Sequence, residues 1–116
     1  MNDEDLTVDQ IVHICSHASL SKGTMTFDSY GTNNVRTGTL EFLANYGYTL
    51  EDAEEVVNSI TRDDYDDGPI DNYDEMKKPR KLWIFKKSAL GMRLYIKIIP
   101  FNKNKCIAVI SFHEYK

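Results

Sequence analysis

With 116 residues, 41% hydrophobic and 28% charged, the chain has the make-up of one small folded domain with a single core, which excludes a multidomain arrangement and wholesale disorder. No apolar run approaches the roughly 18 to 20 residues of a membrane span, and the acidic opening MNDEDLTVDQ lacks the apolar core of an export signal, so cytoplasm is the expected location. The net charge of -4 conceals a segregation: residues 1–75 hold 17 of the 18 acids but 3 of the 14 bases, a net of -14, whereas residues 76–116 reach +10. A local basic face of that kind suits a phosphate backbone. Mutual neutralisation of the two halves explains it equally well.

Apolar residues from Leu6 to Ala18 recur at near-helical spacing, predicting a helix over 7–18 that Thr7 or Asp9 can cap. His13 and His17 lie one turn apart on it, but Ile14 follows His13 where a zinc protease needs Glu, and no third ligand is evident; they read as exposed helix histidines. Cys15 and Cys106 lack an export signal or a C-x-x-C partner and read as free thiols. A short strand is expected near 24–27, then a loop, then helices over 37–46 and 50–60. Gly47 stops the first of these and Thr49 caps the second, with Leu40, Leu43, Ala44, Val56, Val57 and Ile60 facing the core.

Residues 61–80 show no periodicity and read as a long loop. Asp63, Asp64, Asp66, Asp67, Asp71 and Asp74 lack the spacing of a calcium loop and are taken as solvated; Tyr65 and Tyr73 need a packing partner or a stacking role. Three β-rich runs follow, about 81–86, 93–99 and 106–112, predicting an antiparallel meander and hence an α+β domain with the helices packed on the sheet. Alternation in the second run puts Leu94, Ile96 and Ile98 on one face and Arg93, Tyr95 and Lys97 on the other. In the third it groups Ile107, Val109, Ser111 and His113 against Cys106, Ala108, Ile110 and Phe112. A loop over 101–105 would set Arg93 across from His113 and Tyr95 across from Ser111, and the first run would add Lys86 and Trp83 to that surface.

Five blocks in order carry a family resemblance: V-R-T-x-x-L-E-F-L-A-x-x-G-x-T-x-x-D-A (Val35 to Ala53), D-Y-x-x-G-P (Asp64 to Pro69), L-W-I-F (Leu82 to Phe85), L-Y-I-K-I (Leu94 to Ile98) and I-S-F-H-E (Ile110 to Glu114). Together they resemble the MqsR family of bacterial type II toxins, within the wider RelE/ParE-like group of small α+β ribonucleases; residues 1–34 lie outside the resemblance. It implies an mRNA endoribonuclease that cleaves without a metal or other cofactor. It also implies a cognate antitoxin as partner and the ribosome as a further candidate partner. The family's Tyr in the Y-I/L-K strand matches Tyr95, and its C-terminal basic catalytic residue falls on His113, where the best-known members have Lys. Asp66 stands where those members have Lys, and Ile84 where they have Gln.

The residue chemistry runs parallel to this. Metal-free RNA cleavage needs a base for the 2′-OH, an acid for the departing 5′ oxygen and cations for the phosphorane. The catalytic candidates are His113, Tyr95 and Lys97, with Lys86 and Arg93 as phosphate holders and Trp83, Tyr65 and Tyr73 as stacking platforms for an unpaired base. Taken singly, each is more often a surface or packing residue. The alternatives are an RNA- or ribosome-binding module that does not cut, and a protein-interaction domain using the acidic helices and residues 61–80.

Overall fold

Thr7 opens the first helix, α1 (Val8–His17), in a capping box: its hydroxyl accepts from the Gln10 amide at 3.2 Å and the Gln10 side chain accepts from the Thr7 amide at 2.8 Å. The computed structural model describes residues 6–27, 35–72 and 80–115. α1 turns Ile11 and Cys15 inward, and burial pushes the Cys15 thiol up to about 12, which keeps it protonated and unreactive. β1 (Met25–Thr26) and α2 (Val35–Asn45) follow. α2 ends in a Schellman motif: Gly47 at φ +80° donates to the Ala44 carbonyl and Tyr48 to the Leu43 carbonyl. Thr49 and Asp52 then cap α3 (Leu50–Asn58), which buries Ala53, Val56 and Val57. The Asn58 amide donates to the Cys15 and Ala18 carbonyls at 2.7 and 3.0 Å, so α3 satisfies the otherwise unpaired end of α1.

After a 3-10 turn at Arg62–Asp64 come β2 (Tyr65–Asn72), β3 (Arg80–Ala89), β4 (Met92–Phe101) and β5 (Cys106–Glu114). They form one sheet in the order β1-β5-β4-β3-β2, antiparallel except for β1, which runs parallel to β5. The helices pack on one face, where Ile11, Leu43 and Val57 meet Trp83, Phe85, Leu94, Ile96, Ile98, Ile107, Val109 and Phe112. A smaller apolar group, Leu82, Ile84 and Ile99 with Ile70, Tyr95 and Ile110 beside it, lies on the other face.

The expected helices, short strand and meander are present, although Leu40 and Ala44, expected in the core, are exposed on α2, and four larger differences follow. β2 occupies part of the stretch read as a loop: its sequence YDDGPIDN is poor in strand-forming residues, and two register shifts against β3 disrupt its alternation. The sheet is mixed, not purely antiparallel. Two aspartates read as solvated are paired, Asp64 with Lys87 at 3.1 Å and Asp66 with Lys86 at 3.4 Å.

The fourth difference concerns register. Tyr95 lies opposite His113 and Lys97 opposite Ser111, but Ile98 lies opposite Val109, so Ile110 is an extra, bulged residue. Before the bulge the odd-numbered Ile107 and Val109 face the core; beyond it the even-numbered Phe112 does. The expected grouping of Ser111 and His113 with Val109 is therefore corrected. The expected pairs Arg93–His113 and Tyr95–Ser111 are each displaced by two residues, one at the turn, where Phe101 pairs with Cys106, and a second at the bulge; the even total keeps His113 on the face of Tyr95.

Gly68 pins the edge strand. A Cβ there would sit 2.8 Å from the Leu82 oxygen and 2.9 Å from the Trp83 Cα, at φ +120°. Gly68→Ala is expected to cost about 1 to 3 kcal/mol. Urea unfolding checks this through the shift in midpoint.

Candidate functional site

The face of β3, β4 and β5 opposite the described helices is a grid of rows two residues apart, about 6.8 Å. The middle row is Lys86, Tyr95 and His113, each directly opposite the next. One row toward the β4–β5 turn lie Ile84, Lys97 and Ser111. In the other direction lie Ser88 and Arg93, with Tyr115 across from Arg93 and its amide donating to the Arg93 carbonyl at 2.7 Å. Strand pairing thus gathers five of the eight residues singled out from sequence: His113, Tyr95, Lys97, Lys86 and Arg93.

Their rings and cations touch. The Tyr95 ring lies 5.4 Å from the His113 ring, centroid to centroid, and 6.1 Å from the nearly parallel Tyr115 ring. The Lys97 ammonium sits 5.6 Å from the Tyr95 ring centre and the Lys86 ammonium 4.2 Å from that of Tyr115. A hydrogen bond with the Tyr115 side chain, and to a smaller extent one with the Asp66 carboxylate, raises the Lys86 pKa, so this lysine stays charged throughout the neutral range. The His113 Nδ1 lies 3.0 Å from the Glu114 carbonyl, which can only accept. That contact makes Nδ1 the protonated nitrogen and leaves the Nε2 lone pair free to take a proton. The Glu114 carboxylate instead accepts from the hydroxyl of Tyr46, the residue just past α2, at 3.1 Å, a bond that raises the Tyr46 pKa.

Three expected site residues are not brought to this face. Trp83 is 1% exposed and belongs to the main core, because it shares the face of Phe85 and lies opposite Ile98. Tyr65 lies on that same side, its ring 6.2 Å from Trp83 and 6.3 Å from Phe85, and its hydroxyl donates to the Gly68 carbonyl. Neither can stack a base beside Tyr95. Tyr73, like Asp74, lies outside the described residues.

No family model, curated protein or solved structure matches the chain.

Two residues not expected at this face adjoin it, Tyr115 and the aspartate Asp66 that was taken as solvated. Tyr115 extends the outward alternation of Ser111 and His113 by one step, a signal that was present once the strand is continued past Phe112. Asp66 reaches Lys86 only because β2 pairs with β3. Elsewhere, His13 and His17 stack at 4.3 Å on α1, and His17 Nδ1 is held by the His13 carbonyl and the Ser16 hydroxyl. Among the described residues no group of three metal-ligating side chains forms, and no helix is long and apolar enough to cross a membrane.

Proposed function

We propose that the protein is an endoribonuclease of the MqsR-like toxin kind, cutting single-stranded mRNA through the 2′-OH. The observation that carries this reading is the row Lys86–Tyr95–His113, an ammonium, a phenol and an imidazole in line across three strands on the face opposite the described helices. His113 Nε2 takes the 2′-OH proton and the freed oxygen attacks the adjacent phosphorus. Lys86 and Arg93 offset the charge gathering on the phosphorane, with Lys97 gripping the neighbouring phosphate. The P–O5′ bond breaks, and the departing oxygen takes its proton from the Tyr95 phenol. The products are a 2′,3′-cyclic phosphate and a 5′-hydroxyl. On this reading mRNA is the substrate, a cognate antitoxin the neutralising partner and the cytoplasm the place of action.

Incubating the purified protein with a defined RNA in EDTA tests it. Discrete cuts are expected; intact RNA despite stoichiometric binding would select a binding module instead, and no RNA affinity at all would select a protein-interaction domain.

Asp66 competes with phosphate for Lys86. Asp66→Asn is expected to tighten binding of a 2′-O-methyl RNA by about 2- to 5-fold, the range of an exposed ion pair worth about 0.5 to 1 kcal/mol. Fluorescence anisotropy at fixed salt reads this directly.

A further inference from the structure

Lys86 and Arg93 stand on neighbouring strands in adjacent rows, where two like charges repel and where Asp66, 3.4 Å from the Lys86 ammonium, draws that lysine toward the sheet edge. Tyr115 sits beside both. The ammonium lies 4.2 Å from its ring centre and the Arg93 guanidinium carbon 5.4 Å from it. An aromatic face carries negative quadrupole charge, so one ring can attract two cations that would otherwise separate. Its own position is fixed twice, by the main-chain bond to Arg93 and by near-parallel stacking on Tyr95, 16° between planes.

We propose that Tyr115 is a positioning residue that holds Lys86 and Arg93 together as a paired seat for one phosphate of the RNA, beside Tyr95 and His113. This rests on the ribonuclease reading above and adds to it a residue that acts through its neighbours without touching the reacting atoms. The seat has a geometric logic: both cations lie within 5.4 Å of the centre of one ring, close enough for a single phosphate to reach both. A phosphate bridging them completes the charge balance that the ring only partly supplies. Without the ring, Lys86 is left to Asp66, and Arg93 loses its registration with the middle row.

The test compares the wild type with Tyr115→Phe, which keeps the ring, and Tyr115→Leu, which removes it. Binding of a 2′-O-methyl RNA is measured across a salt series, and cleavage of the matching unmodified RNA gives kcat and KM. The Leu variant is expected to bind about 5- to 10-fold more weakly, with a log K against log salt slope shallower by about 0.7, the value for one lost phosphate contact on a single strand. Its kcat is expected to fall along with a rise in KM, because Lys86 and Arg93 also face the phosphorane. The Phe variant keeps the ring but loses the hydroxyl bonded to Lys86, and is expected to fall between the two and nearer wild type in each measure. If the Leu variant loses its cooperative melt, Tyr115→Thr, a strand-favouring residue without a ring, takes its place. Unchanged slope and affinity on removing the ring overturn the role of Tyr115 alone, and so does a Phe variant as weak as the Leu one. A wild-type protein with no RNA affinity at any salt overturns the ribonuclease reading and the phosphate seat with it.

Discussion

His113→Ala is expected to lower the rate of RNA cleavage by about 10²- to 10⁴-fold, the usual contribution of a positioned general base. The side chain is exposed and its hydrogen bond runs to the carbonyl of the next residue, so its removal leaves the core untouched. Stability should therefore shift by no more than about 0.5 kcal/mol. Affinity for a 2′-O-methyl RNA should also persist, because Lys86, Arg93 and Lys97 remain. The three measurements together separate a chemical role from a binding or folding one. Undiminished cleavage by the alanine variant would remove His113 from the mechanism even if the rest of the face binds RNA.

Trp83→Ala carries the largest expected effect on the fold, about 3 to 5 kcal/mol. The indole is 1% exposed, lies opposite Ile98 and meets the Tyr65 ring, so its loss opens a cavity walled by both strands and helices. Since this is the only tryptophan in the chain, its fluorescence reports the packing of the core without labelling. The wild-type emission is expected to be blue-shifted and unchanged when RNA binds. An alanine variant destabilised by less than about 1 kcal/mol, or an emission quenched by RNA, would return Trp83 to the surface role first suggested by its place in the sequence.

How far the sequence was legible follows from which forces act locally. Capping by Thr7 and Thr49 and the stop at Gly47 depend on residues within four positions, and each could be read directly. Alternation already set Trp83 and Phe85 against Lys86, so the burial of Trp83 was available from the pattern and was obscured by the appeal of an aromatic platform. β2 was not legible, because Asp, Gly, Pro and Asn disfavour a strand and only pairing with β3 holds one there. Its absence from the reading also hid the Asp66–Lys86 and Asp64–Lys87 pairs. The bulge at Ile110 is a tertiary choice: Val109 and Phe112 both go to the main core although three positions separate them, and Ile110 joins the lesser apolar group on the outer face. Strict alternation along 106–113 cannot express that compromise, and the bulge together with a turn one residue shorter than expected moved the cross-strand partner of His113 from Arg93 to Tyr95.

Deoxyribose substitution at a single position probes the proposed chemistry most directly. A defined RNA is cut in EDTA, the cleavage site is mapped, and the nucleotide immediately 5′ of the broken bond is replaced by its 2′-deoxy counterpart. The expected result is loss of that cut with binding retained, and 2′,3′-cyclic phosphate with 5′-hydroxyl ends on the unmodified RNA. Continued cleavage of the deoxy-substituted strand, or 5′-phosphate ends, would contradict an attack by the 2′ oxygen at the Lys86–Tyr95–His113 row.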